Sequence, residues 1–439
     1  MPSFTWLTLS QAQTALAARL ADPNMVFWSG PELLMYLCES LRTWNALTEQ
    51  WNQNFPFTAT PNKNWYNLST LPGSPRLRTV TDAYLYTVMQ YHLLEPPTGA
   101  GIWTGTSQFS LADLQFALQR RRDEMIQATG CNLTNLPKLP SVPNTRRTYF
   151  PDSTLEPIRA RFVPDSGSIF FDSSTPITLT REDTAAWDSF EPGYLQTLGK
   201  PASWSVIAGP PLAMDVDIAP NVAGAYDVIA LFSGLQFSPP VPTLLGVPDD
   251  WSWLAKWGAL ADLLGRESEA TDRQRADYCL KRYSDGLKVM RQSNWLLAAT
   301  VNGLVVDTPS LREMDGFSPE WENNASAWPS VVTAGIDFVA GCPIGNLMGI
   351  NVLVVGNCPV PVNPSDYVQV SRDVWDVVLD YAQSLAMLKS GGNEFKECAY
   401  LEKNFFALAM ETNKRLAKLG LFRDILGLEG NRQNINQPR

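Results

Sequence analysis

At about Leu155 the spacing of apolar residues changes from three or four positions to two, and at Asp250 it changes back. A period near 3.6 buries one stripe of a helix and a period of two buries one face of a strand, so the chain must combine both kinds of element. Before the switch the pattern predicts four helices. Thr8 with Gln11, and Ser29 with Glu32, have the capping-box spacing that satisfies free N–H groups at a helix start. From Ser29, residues Leu33, Leu37, Leu41, Trp44, Leu47 and Trp51 form one stripe. A third helix is predicted over about 79–94, stopped by Pro96 and Pro97, and a fourth from Ser110, capped by Asp113, to Gly130.

After the switch, Ile158, Ala160 and Phe162 alternate with Arg159 and Arg161, and further short strands are expected at 204–208, 212–218 and 226–232. Helical spacing resumes through Trp251, Leu254, Trp257, Ala261 and Leu264, followed by a second helix through Tyr278, Tyr283 and Leu287. The same unit is then expected again. Sliding the chain by 124 residues, the separation of Trp204 and Trp328, also aligns Val228 with Val352, Asp249 with Asp373, Trp251 with Trp375 and Leu264 with Leu388. A period that long means duplicated domains, since solenoid repeats run to about 20–50 residues.

The expected fold class is therefore α+β, with an N-terminal helical domain over 1–150 and two similar β-sandwich-like modules, each with a helical pair, over 151–293 and 294–429. Residues 430–439 are expected to form a C-terminal arm or a frayed end. The length of 439 residues, at roughly 150 per domain, gives the same count of three. With 45% hydrophobic residues the chain can bury a large core without staples. The formal charge of -10 argues against duplex binding by the surface as a whole, which rests on many phosphate-neutralising cations. Neither a secretory signal nor a membrane span is expected. The six cysteines form no Cys-x-x-Cys pair and read as reduced thiols, with a Cys342–Cys358 bridge left open.

Chemistry has few candidates. The single histidine, His92, falls at the end of the third helix and reads as a partly buried, hydrogen-bonded residue. Triads that need a histidine base thus lack support, and no nucleophile elbow, Walker loop or dinucleotide fingerprint is present. No catalytic residue, metal site or cofactor is expected. Asp215 and Asp217 alternate in MDVDI and would share a face, where they could hold a cation or a sugar or simply meet solvent. Glu39, Glu49, Glu394 and Glu402 read as exposed helix charges. Arg120, Arg121 and Arg122 fan over about 200° of a helix, so at least two should face solvent, a partner subunit or passing DNA. Trp28, Trp65 and Trp103 lie among Pro, Asn and Gly residues and are candidate interface aromatics.

The order FWSGPELLMYLCESLRTWNALT, LQFALQRRRDEMIQATGC, PIRARFVP and PDDWSWLAKWGALADLLGRESEATDRQRADYCLKRYSDGL resembles head-to-tail adaptor, connector or neck proteins of tailed bacteriophages. The likeness covers the first ~290 residues in architecture and rests on helix composition, with no signature box; the second β-plus-helices unit departs from it. The resemblance implies a non-enzymatic virion protein, assembled in the host cytoplasm into a ring, typically twelvefold, around the DNA channel. Its partners would be other copies of itself, the portal protein, tail or neck proteins and passing double-stranded DNA without sequence specificity. Subunit or portal contacts would then fall to Arg120, Arg121 and Arg122 and to Asn431, Arg432, Ile435 and Arg439 in the arm. The alternative is a carbohydrate-binding or carboxylate-dependent glycan-cleaving tail protein that uses the loop tryptophans with Asp215 and Asp217.

Overall fold

The computed structural model describes residues 7–59, 65–95, 108–165, 177–190, 193, 196–237, 241–266, 272–292, 296–301, 304–306, 329–332, 335–338, 348–391 and 396–419. Among these, nine α-helices accompany one large mixed sheet and smaller ones, an α+β architecture.

The helices are α1 (Leu9–Arg19), α2 (Gly30–Thr48), α3 (Asp82–His92), α4 (Leu111–Thr129), α5 (Thr184–Phe190), α6 (Ser252–Leu264), α7 (Arg273–Gln292), α8 (Arg372–Ser390) and α9 (Ala399–Leu419). Capping boxes form at Thr8 with Gln11 and at Ser110 with Asp113, and Gly130 closes α4 in the left-handed conformation with φ 67°. Ser29 caps α2 by backbone conformation alone. Glu32 is drawn instead into the core, where it accepts from Tyr36 and Lys389. The helix also stops at Thr48, so Trp51 lies just beyond it.

Two strands interrupt the expected helical run, β1 (Asn52–Ala59) and β2 (Trp65–Asn67). In chain order, β3 (Leu133–Asn135), β4 (Leu139–Ser141), β5 (Arg147–Tyr149), β6 (Thr154–Pro164), β7 (Ile177–Arg181), β8 (Leu198–Gly199), β9 (Ser203–Ile207), β10 (Ala213–Val216), β11 (Ala219–Pro220) and β12 (Gly224–Phe232) follow. Eight of them form one curled sheet, a half-barrel in the order β3-β12-β6-β7-β9-β10-β5, with β4 also on β12. Its pairs are antiparallel except β7 with β9. The remaining strands are β13 (Leu296–Val301), β14 (Leu304–Val306), β15 (Pro329–Val332), β16 (Gly335–Phe338) and β17 (Met348–Val355). A second sheet runs β1-β17-β13-β14, so residues 52–59 pair with residues 348–355 from the far end of the chain.

Strand alternation gives the half-barrel two buried faces. Val228 and Ala230 of β12 join Phe162, Trp204, Met214 and Val216 in a core inside the curl. Ile229 and Leu231 point the other way, into a larger core with residues of α1, α2, α3, α4, α6, α7, α8 and α9. Arg159 and Arg161, which alternate with Ile158, Ala160 and Phe162, are for that reason buried as well. Arg161 pairs with Asp227 directly across β6 and β12, at 2.9 Å.

Within the helical core α4 packs against α6 and α7, while α2 packs against α8 and α9. Helices from the first 150 residues thus share one hydrophobic core with helices from both later units. The sequence boundary at 293 falls between α7 and β13, whereas that at 150 falls between β5 and β6 of one sheet.

Candidate functional site

The chemistry-bearing residues cluster where α2, α3, α6, α7, α8 and α9 converge. Lys256 of α6 lies fully buried, with its ammonium donating to Glu39 of α2, 3.3 Å from Nε2 of His92 and 4.2 Å from the centre of the Trp257 ring. Glu39 also accepts from Trp257 Nε1 at 3.1 Å. Beside this group, Arg282 of α7 donates to Tyr278 at 2.9 Å, to Glu402 of α9 at 3.0 Å and to Tyr381 of α8. Its guanidinium also lies 4.7 Å from the Trp257 ring centre and 5.2 Å from that of Tyr381. Two cations thus meet two carboxylates inside an aromatic shell.

Burial sets the protonation states. Desolvation pushes the Lys256 ammonium down, and the neighbouring Glu39 carboxylate works against that shift. His92 is held well below its ordinary value, by burial first and then by Lys256, Arg275, Arg282 and Lys389. For Arg282 burial opposes the charge, but Tyr278, Tyr381 and Glu402 outweigh it and hold the group well above its usual range. Lys256 is matched by Glu39 and Arg282 by Glu402, so the cluster ties α6 to α2 and α7 to α9.

A second buried carboxylate pair lies in the 3-10 turn Asp249–Trp251 that opens α6. Asp249 accepts from the backbone N–H of Thr79 and Val80, at 2.9 and 3.1 Å. Asp250 accepts from Asn45 of α2 at 2.5 Å and from the Cys358 N–H at 3.1 Å. The pair ties together three segments far apart in sequence. Burial raises the Asp250 carboxyl to about 7, against the lowering effect of Asn45, the Cys358 N–H and Arg42.

The candidate residues read from the sequence fall elsewhere, and several need correction. Of the three arginines only Arg120 keeps a mostly exposed side chain, at 60%, with its guanidinium 3.8 Å from Asp262. Arg121 binds Asp262 at 2.5 and 2.9 Å, over a Gly258 whose missing side chain leaves room for the arginine stem. Arg122 is fully buried, donating to Asp123 and to the Leu235 carbonyl with its guanidinium over Phe237. The helix that carries them runs between α6 and the 233–237 loop, so two of the three reach neighbours instead of solvent.

Trp28 is buried too, its indole N–H donating to the Ala386 carbonyl at 3.2 Å. The Asp22 carboxylate accepts the N–H groups of Val26, Phe27 and Trp28 and shapes the loop that inserts it. Trp65 opens β2, with its side chain outside the described residues, as are all of Trp103, Asn431, Arg432, Ile435, Arg439, Glu394 and Cys342. Cys358 is a buried free thiol pushed well above its usual range.

Asp215 and Asp217 do not converge on a ligand. Asp215 is clamped by Arg147, its cross-strand partner, through two hydrogen bonds of 2.8 Å. Asp217 is buried and accepts the Ala202 N–H at 3.0 Å. Glu39 and Glu402, read as exposed charges, belong to the buried cluster. One sequence signal could have found that cluster. In SWLAKWGALADLL the only charged residues are Lys256 and Asp262, and each pairs with a charge on another helix.

Among the described residues no group of three or more His, Cys, Asp or Glu side chains could hold a metal ion, and no helix is long and apolar enough to cross a membrane. No known protein family matches the sequence, and no curated protein is significantly similar to it.

Proposed function

We propose that this chain is a structural protein of a tailed-bacteriophage virion, a ring subunit that joins portal and head to the tail around the DNA channel and catalyses no reaction. The observation that carries the reading is where the four neck-like stretches lie. They form α2, α4, β6 and the α6–α7 pair, which build one continuous helical core and its supporting strand. The internally matched charges support a role in holding shape. Large apolar side chains left in the open, among them Phe116, Leu235, Val241, Tyr367 and Tyr400, suit contact with other subunits.

The two later units are read as copies of one module. The 124-residue offset carries β12 onto β17 and α6 into α8, and after a two-residue deletion in the turn Tyr283 and Leu287 of α7 fall opposite Phe405 and Ala409 of α9. Each helical pair also packs on a 19-residue helix from the first third of the chain, α4 for one and α2 for the other. The strand portions have diverged, with eight strands in the first large sheet and four in the β1-β17-β13-β14 sheet.

Under this reading Arg120 is the member of the arginine run available to a neighbouring subunit or to passing DNA, and residues 430–439 supply an arm toward the portal. The glycan-cleaving alternative loses its acid pair to Arg147 and the Ala202 N–H. Electron microscopy of the purified chain, alone and with virion components, tests the proposal. Rings or stable high-order complexes are expected. A persistent monomer that joins no virion component would overturn it. Removing 430–439 should weaken portal association, and unchanged association would remove the arm from the account.

A further inference from the structure

We propose that the single histidine is an acid-sensitive latch in the helical core: a proton added to His92 turns Nε2 from an acceptor into a donor facing the Lys256 ammonium, and releases α3 from α2 and α6. The argument starts from donor and acceptor roles. An ammonium can only donate, so Nε2, 3.3 Å from it, must accept, and the ring proton must sit on Nδ1. His92 has no exposed surface, and Nδ1 meets no hydrogen-bond partner among the described residues.

The surroundings leave an added proton nowhere favourable to settle. Glu39, the carboxylate that shares Lys256 with His92, is already held by Lys256 and by Trp257 Nε1. Whichever member of the Glu39–Lys256–His92 triad takes the proton, the net charge of a buried group rises from zero to one positive unit. The other elements packed here offer little relief. From α2 come Tyr36, whose ring centre is 5.3 Å from the imidazole, and Glu32, which is already bound to Tyr36 and Lys389. From α7 come Arg275, donating to the His92 carbonyl, together with Arg282 and the neutral thiol of Cys279. From α8 comes Lys389. The cations come from α6, α7 and α8, and the carboxylates named here are already bound.

The depressed proton affinity of His92 agrees with this geometry. The sign follows from linkage. The unfolded histidine takes a proton near 6.5 and the folded one resists it, so the latch is intact above 6.5 and weakens as pH falls toward the folded value. In that window the opening equilibrium should grow about tenfold per pH unit.

Because the chain holds one histidine, its imidazole gives one Cε1–H NMR signal, readable in the unmodified protein. The native signal should keep its neutral position through the range where a free imidazole titrates. Hydrogen exchange should show α3, residues 82–92, losing protection below about pH 6 before α4, residues 111–129. In urea unfolding, the difference between wild type and His92→Gln should change with about one proton's slope below pH 6.5, since glutamine can accept from Lys256 but does not titrate. An imidazole that titrates freely near 6.5 with α3 still protected would sink the proposal, and so would identical pH slopes for the two proteins. If His92→Gln does not fold, the NMR and exchange results on the wild type decide the question alone.

Discussion

At the scale of single residues the buried charges divide by what happens when a partner is lost. Lys256 is fully buried, so Glu39→Ala should strand an ammonium and cost about 3–5 kcal/mol in chemical denaturation. The double replacement Glu39→Met with Lys256→Met removes both charges and should recover most of that loss. Equal destabilisation of the single and double variants would show that the pair is not coupled. Asp250 behaves differently because its partners are neutral N–H groups. Its folded value of about 7 lies above the ordinary 3.8, so between them the folded chain binds more protons than the unfolded one and stability falls as pH rises. Asp250→Asn should remove that slope, changing the wild-type-minus-variant difference by roughly 3 kcal/mol between about pH 5 and pH 7.5. A difference that stays constant across the range would mean the carboxyl is not held protonated. His92 contributes with the opposite sign between its folded value and 6.5. The two groups therefore offset each other in the mildly acidic range, and each single variant should expose the slope of the other.

At the scale of elements, most of the architecture was legible because local spacing fixes which face of a helix or strand is apolar. The α4 helix, from Ser110 to Gly130, follows from its caps, and β6, β9, β10 and β12 from their alternation. What local spacing omits is the identity of the second neighbour. The NQNFPFTA stretch carries Asn, Gln and Pro and reads as a loop; it becomes β1 by pairing with residues 348–355. The stripe on α2 predicts a solvated opposite face. That face is covered as well: Glu32 meets Lys389 of α8, Glu39 meets Lys256 and Trp257 of α6, and Asn45 meets Asp250 of the 3-10 turn, so all three polar side chains are buried. Close approach between elements makes a further prediction. A Cβ at Gly224 would lie 2.6 Å from the Val163 carbonyl oxygen and 2.9 Å from the Phe162 ring, and a backbone oxygen in a paired strand cannot swing aside. Gly224→Ala should cost about 1–3 kcal/mol in urea unfolding, whereas Gly209→Ala, with nothing within 4 Å of the new atom, should stay within about 0.5 kcal/mol of wild type. Equal effects at the two sites would mean that β6 and β12 can separate without penalty.

At the scale of the molecule, the shared core bears on whether the three sequence units can stand alone. Trp44 of α2 packs edge-on against Phe405 of α9, at 5.6 Å between ring centres, and Phe405 stacks on Tyr381 of α8 at 4.1 Å. Ser40 donates to the Val378 carbonyl at 2.7 Å, and Asn413 to the Leu47 carbonyl at 2.8 Å. Cutting after residue 150 would expose the α2 face that α8 and α9 cover and the α4 face that α6 and α7 cover. It would also leave Glu39 without Lys256 and Arg121 without Asp262. A helical fragment that loses most of its apolar partners and both counter-ions cannot offset the entropy of ordering its chain. Expressed alone, residues 1–150 should show no cooperative thermal transition by circular dichroism, while the full chain should melt as one unit in which α2 and α9 lose exchange protection together. A sharp, reversible melt of the fragment would show instead that the N-terminal helices carry a core of their own, and that their contacts with the later helices are docking between finished domains.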